Sequence, residues 1–229
     1  MSAYPEKSHY TAEDLAAIIA LLRDPEKGCP WDKVQTHTSI RMNFLEEAYE
    51  AVDAIDLNDP ELMCEELGDV LMQVVFHAQM ENEQGHFNFA QVCDGVCRKL
   101  IDRHPHIFLG AQSIKDWDTL KNIEKGRVTL QDDLESVPLA LPALMRAAKL
   151  QKRAARGGVT VQAGADTVAA AAKAAQLCDD AEKEAAVGQM LFAAVALARS
   201  LGVDPEQALQ RRNAQFTAQP TSCQEAEQP

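Results

Sequence analysis

Glu46, Glu47 and Glu50 fall in one short stretch of the chain, and Glu65, Glu66 and Asp69 in another. Carboxylates three or four residues apart lie on one face of a helix, so each stretch can present oxygen donors on one side. From Met42 to Cys97 there are 13 acidic residues and no Lys or Arg, so no basic neighbour in sequence neutralises them. Ionised carboxylates kept from water are costly unless a cation or a hydrogen-bond donor meets them. A bound metal is the economical answer, and oxygen-only ligands favour a hard ion, Mg²⁺ or Mn²⁺, over zinc. Because Mg²⁺ keeps positions for water and phosphate oxygens, such a site suits a nucleotide di- or triphosphate.

Positioning these groups falls to two helices. The first is expected from about Ser39 to Asp56, with Leu45, Ala48, Val52 and Ile55 as its core stripe and Glu46, Glu47 and Glu50 on the opposite side. Asn58, Asp59 and Pro60 read as a turn. The second helix then runs from about Glu61 to Glu83. Leu67, Val70, Leu71, Met72, Val74, Val75 and Phe76 surround nearly its whole circumference, which predicts burial on most sides. Its polar residues Glu66, Asp69, Gln73 and His77 form one narrow stripe at i, i+3, i+7 and i+11. Antiparallel packing of the two, as their short connection suggests, lets Glu47 and Glu50 face Glu66 and Asp69.

Elsewhere the periodicity is also helical and no alternating strand pattern appears, so the fold is read as all-α. Thr11 with Asp14 is a capping-box start for a helix through Leu22, and Asn88 caps another reaching about Arg103. HPHIFLG reads as a loop and WDTLKNIEK as a short helix. With 229 residues, 46% of them hydrophobic and 25% charged, the chain can bury a real core, and its net charge of −13 argues against a nucleic-acid partner. No apolar run is long enough to span a membrane, and the start lacks a secretory pattern. Six cysteines without zinc spacing read as reduced thiols of a cytoplasmic protein, Cys93 and Cys97 as small buried ones. His104 and His106 lack zinc-spaced partners and read as loop-stabilising. GxSxG, P-loop and GxGxxG patterns are missing.

Beyond Pro142 the composition shifts, with 15 alanines among the 36 residues from Ala163 to Ala198. EELGDVLMQVVFHA (Glu65 to Ala78) lies opposite AAVGQMLFAAVALA (Ala185 to Ala198), with Gly68 on Gly188 and a later glycine, Gly85 or Gly202, after each. Two versions of one helical unit are therefore expected. Glu65, Glu66 and Asp69 in the first stand opposite Ala185, Ala186 and Gln189 in the second. The reading is a first domain over 1–137 holding the carboxylates, a degenerate structural repeat over 138–216 and a polar, frayed tail over 217–229.

In order along the chain, LLRDPEKGCPWDKVQT, EEAYE, EELGDVLMQVVFHA, RKLIDRHPHIF and WDTLKNIEK resemble the MazG nucleoside triphosphate pyrophosphohydrolases, closely so from about Leu21 to Arg156. The resemblance implies an all-α, usually dimeric, Mg²⁺-dependent enzyme, here a homodimer, cleaving nucleoside triphosphates to monophosphate and pyrophosphate. It places metal ligands on Glu47, Glu50, Glu66 and Asp69 and phosphate contacts on Lys99 and Arg103. Nucleotide contacts fall on Trp117 and Lys121, and Glu46 or Glu50 is left to accept a proton from the attacking water. Two-copy members carry carboxylates in the C-terminal unit as well. Here no EExxE occurs between Leu150 and Cys178, and NAQFTAQ replaces the basic end. Activity is thus expected in the first half, the alternative being a non-catalytic or regulatory nucleotide-binding relative.

Overall fold

The computed structural model describes residues 4–108, 126 and 129–218, and every regular element among them is helical. Trp117, Lys121, the expected helix WDTLKNIEK and the tail beyond residue 218 lie outside the described residues. The chain divides into two compact units, Met1–Ile114 and Lys115–Pro229.

In the first unit the helices are α1 (Ala12–Leu22), α2 (Arg41–Leu57), α3 (Pro60–Glu83), α4 (Phe89–Arg103) and the single turn α5 (Pro105–Phe108). Their starts follow from side chains that satisfy free backbone N–H groups. Thr11 and Asp14 form a capping box on α1, and Asn88 and Gln91 form another on α4. Between α2 and α3 only two residues intervene. Asn58 adopts the left-handed conformation (φ 55°) that ends α2, while the Asp59 carboxylate accepts from the N–H groups of Glu61 and Leu62, and Pro60 occupies the first helical position. The product is an antiparallel hairpin. The expected loop at HPHIFLG is partly helical, as α5, and the His104 ring lies 2.7 Å from the Leu100 carbonyl at the end of α4.

Ile19, Ile40, Val75, Phe76 and Met80 form the core of this unit, flanked by Leu15, Ala16, Met72 and Phe89. That core changes two expectations. On α2 the buried residues are Ala51 and Ala54, whereas Val52 and Ile55 are 49% and 53% exposed and Leu45 is exposed too. The small alanines let the two helices approach closely, so the row Glu47–Ala51–Ala54 turns toward α3 and the larger aliphatics turn away. On α3 burial is confined to the second half, at Gln73, Val75, Phe76, Ala78 and Met80; Leu67 and Leu71 are exposed. Cys93 and Cys97 are also exposed rather than buried, because α4 is uncovered on every side from Cys93 to Asp102.

The second unit holds α6 (Leu130–Glu135), α7 (Ala143–Arg156), α8 (Ala165–Leu177), α9 (Lys183–Ser200) and α10 (Pro205–Thr217). Asp133 on α6 pairs with Arg153 and Arg156 of α7. Thr217, expected in the frayed tail, closes α10. In its internal arrangement this unit follows the first: α8 packs on α9 as α2 does on α3, and α7 on α9 as α1 does on α3. The turns after the long helices share two backbone bonds. Gly85 (φ 75°) donates to Asn82 and His86 to Glu81; Gly202 (φ 72°) donates to Arg199 and Val203 to Ala198. A positive φ at the position closing such a turn is why glycine stands at both. The buried register agrees with the match of Gly68 to Gly188, with Gln73, Val75 and Phe76 matched by Ala193, Val195 and Ala196, and the turn glycine comes three residues sooner in the second unit.

Candidate metal centre

Glu47, on the buried row of α2, meets Glu66 and Asp69 of α3, and one carboxylate oxygen from each lies within 4.8 Å of the other two. All three side chains are half-buried. Gln73, one further turn along α3, points its Nε2 at Glu47 Oε1, 3.5 Å away. Among the described residues no Lys or Arg pairs with these carboxylates.

Electrostatics record the crowding. The Glu47 carboxyl is raised above its ordinary value, first by burial and next by the charge of Asp69, with Glu50 adding to the rise and the Gln73 hydrogen bond opposing it. Glu66 is raised by burial, then by Glu50, Glu65 and Asp69. Like charges gathered in a partly desolvated place hold protons more tightly, and a cation would relieve the same strain. The donor set is three carboxylate oxygens and no nitrogen or sulfur, which fits Mg²⁺ or Mn²⁺.

The other residues predicted for the site are distributed differently. Glu50 is exposed and outside the group of three, yet close enough for its charge to act on both Glu47 and Glu66. Glu46 is exposed on α2. Lys99 is exposed on α4, while Arg103, one turn on, is buried and not free. Trp117 and Lys121 are outside the described residues.

Two arrangements further along α3 were not singled out from the sequence. His77 continues the polar stripe and stacks on His37, their rings 5.0 Å apart with the two Nδ1 atoms at 2.7 Å. His37 Nε2 in turn reaches Glu81 at 2.7 Å, and Glu81 also holds His86. Arg23, at the end of α1, grips Glu83 with two contacts of 2.8 Å and donates to the carbonyls of Asp32 and Gln35. The segment between α1 and α2 is thereby fastened to the end of α3. The regular stripe announced His77, but its partner His37 lies 40 residues away in the chain and carries no local signal.

Comparison with known proteins follows the same residues. The sequence profile of the MazG nucleotide pyrophosphohydrolase domain matches residues 35–108, which span α2, α3, α4 and α5. The chain is 42% identical over 218 residues to a protein of Escherichia coli K12 named nucleoside triphosphate pyrophosphohydrolase, covering 88% of this chain and 82% of that one. It is 41% identical over 212 residues to the nucleoside triphosphate pyrophosphohydrolase/pyrophosphatase MazG of Thermotoga maritima, covering 89% and 82%. A nucleoside triphosphate pyrophosphohydrolase of Mycobacterium tuberculosis is 36% identical over 154 residues, covering 64% and 46%.

Proposed function

We propose, from the premise that this chain belongs to the MazG family of nucleotide pyrophosphohydrolases, that it hydrolyses nucleoside triphosphates to monophosphate and pyrophosphate at the carboxylates shared by α2 and α3. The observation that carries this reading is the convergence of Glu47, Glu66 and Asp69 without a basic partner among the described residues. These three, with Glu50 beside them, would hold Mg²⁺. The ion, when bound, lowers the pKa of water and neutralises charge on the triphosphate.

The chain's own residues supply the rest. Glu50 is the better placed of the two candidate bases: it lies close enough to act on Glu47 and Glu66 and stays exposed, so that an oxygen not occupied by the metal can take a proton from attacking water. Glu46 is the other carboxylate of that pair. Lys99, exposed on α4, would orient the polyphosphate, and the resemblance assigns Arg103 a second phosphate contact and Trp117 and Lys121 the contacts to the nucleotide. The uncovered Leu45, Val52, Ile55, Leu67 and Leu71 support a homodimer, since an apolar face of this kind is ordinarily covered. The working protein is a cytoplasmic, nucleotide-pool enzyme, and no single described helix is long and apolar enough to cross a membrane. The first domain carries the chemistry and the repeat over 138–216 is structural.

Purified protein supplied with Mg²⁺ and a panel of nucleoside triphosphates should yield monophosphate and pyrophosphate in equal amounts. Orthophosphate with diphosphate would refute the assigned bond. Glu66→Gln or Asp69→Asn should abolish turnover and the rise in Tm on adding Mg²⁺, with helicity by circular dichroism unchanged. Full activity in either variant would place the site elsewhere.

A further inference from the structure

Gln73 is 7% exposed, its Oε1 is buried without a hydrogen-bond partner, and its Nε2 touches the site only through the 3.5 Å contact to Glu47. A buried amide oxygen left unpaired costs about 1–3 kcal/mol by ordinary mutational experience, and such a group calls for an explanation. Packing does not supply one. In the second unit the equivalent position, five residues after the helix glycine (Gly68 or Gly188) and two before the buried valine (Val75 or Val195), is Ala193, which is also buried. The scaffold therefore accepts a small apolar residue there. What the second unit lacks is the acids, for Ala185, Ala186 and Gln189 stand where the first has Glu65, Glu66 and Asp69. The polar side chain accompanies the carboxylates and not the fold.

Resting on the metal-site reading above, we propose that Gln73 is a positioning residue for the cation: its Nε2 holds Glu47 in the ligating orientation, and its Oε1 is reserved as an acceptor for what occupies the site. An amide is suited to both tasks because it donates at one end and accepts at the other. A carboxylate in its place could only repel Glu47. At 3.5 Å the contact sits at the outer limit of hydrogen bonding, which gives Glu47 room to adjust when a ligand enters. Partners that orient a metal ligand without touching the metal commonly govern affinity by 10–100-fold.

The test is calorimetric titration of Mg²⁺ alone into the full chain and into Gln73→Met, which keeps the length and volume of the side chain, with Gln73→Ala, the residue of the second unit, as the alternative should Met fold poorly. The Mg²⁺ Kd should weaken about 10–100-fold, with Tm of the metal-free protein held or raised. In turnover the half-saturating Mg²⁺ concentration should rise while the KM for nucleotide at saturating Mg²⁺ stays put. Wild-type affinity in both variants would overturn the role of Gln73 and leave the metal site standing, as would a lowered Tm with Kd unchanged, the mark of a packing residue. Absence of Mg²⁺ binding by the unaltered protein, with and without nucleotide, would overturn the metal site itself and this inference with it.

Discussion

Arg23→Met removes the guanidinium that fastens the α1–α2 segment to α3, and its cost can be worked from the contacts. The Arg23 side chain is 6% exposed and carries two charge-assisted contacts to Glu83, one donation to each of the Asp32 and Gln35 carbonyls, and a position 5.1 Å from the centre of the Phe76 ring. Glu83 is 36% exposed, so its pair is screened and contributes about 1 kcal/mol at most. Each carbonyl that loses its donor costs about 1 kcal/mol, and the ring contact adds about 0.5 kcal/mol. Methionine keeps the apolar stem, so no large cavity opens. The expected loss is about 3 kcal/mol, which at the usual urea dependence of about 1–3 kcal/mol per molar lowers the midpoint of the first unit by about 1–3 M. Glu83→Gln should cost only about 1 kcal/mol, because a half-exposed amide oxygen still accepts. Urea unfolding followed by circular dichroism gives the totals, and hydrogen exchange at Gly28 and Cys29, whose N–H groups bond to Asp24 and Leu22, locates the effect. A loss below about 1 kcal/mol with these amides still protected would refute the claim that Arg23 is the clamp.

Two further perturbations report on other parts of the same scaffold. Burial, followed by the neighbouring His37, lowers the His77 pKa below its ordinary 6.5, and two rings meeting Nδ1 to Nδ1 cannot both carry a proton there. The unfolded chain thus takes up a proton before the folded one, so stability falls as pH drops below about 6.5 and levels off below the folded pKa; NMR titration of His77 should give a value under 6.5, and His77→Gln should flatten the fall in Tm that begins there. Below the ordinary carboxyl value of 4.5 a further loss comes from Glu81 and Glu83, held down chiefly by His86 and by Arg23 respectively. Gly85→Ala and Gly202→Ala should each cost about 1 kcal/mol in urea unfolding, since both sites have positive φ with open space around them and only the backbone conformation is penalised. Unequal costs would mean that the two turns are not energetically alike.

Helix existence was legible because it rests on local chemistry. Thr11, Asp59 and Asn88 each satisfy N–H groups within three residues, and the hairpin follows from Asn58, Asp59 and Pro60 alone. Which face of α2 turns inward was not legible. Hydrophobicity favoured Leu45, Val52 and Ile55, but helix packing rewards closeness, and Ala51 and Ala54 permit it. That substitution of one face for another is what brings Glu47 inward and leaves Glu46 outside, a separation no spacing rule could make between adjacent residues. The stripe Glu66, Asp69, Gln73 and His77 was visible as a period; the partners of its members, Glu47 and His37, come from distant segments and depend on how the chain folds back.

The pairing of a unit that carries the site carboxylates with one of the same internal order that lacks them separates two demands on the sequence. Val75 and Val195, Gly85 and Gly202, and the bonds that close both turns serve the scaffold, and both units have them. Glu66, Asp69 and Gln73 do nothing for the scaffold: the first two repel their neighbours, the third leaves an oxygen unpaired, and the second unit replaces them with Ala186, Gln189 and Ala193. Groups that cost stability in the metal-free protein persist only where a ligand offsets the cost. A unit relieved of binding would shed them first and keep its turn glycine and buried valine, which is the pattern residues 183–203 display. On the proposed reading, the acids and Gln73 therefore mark where the chemistry resides more sharply than the helices do, because the helices are common to both units.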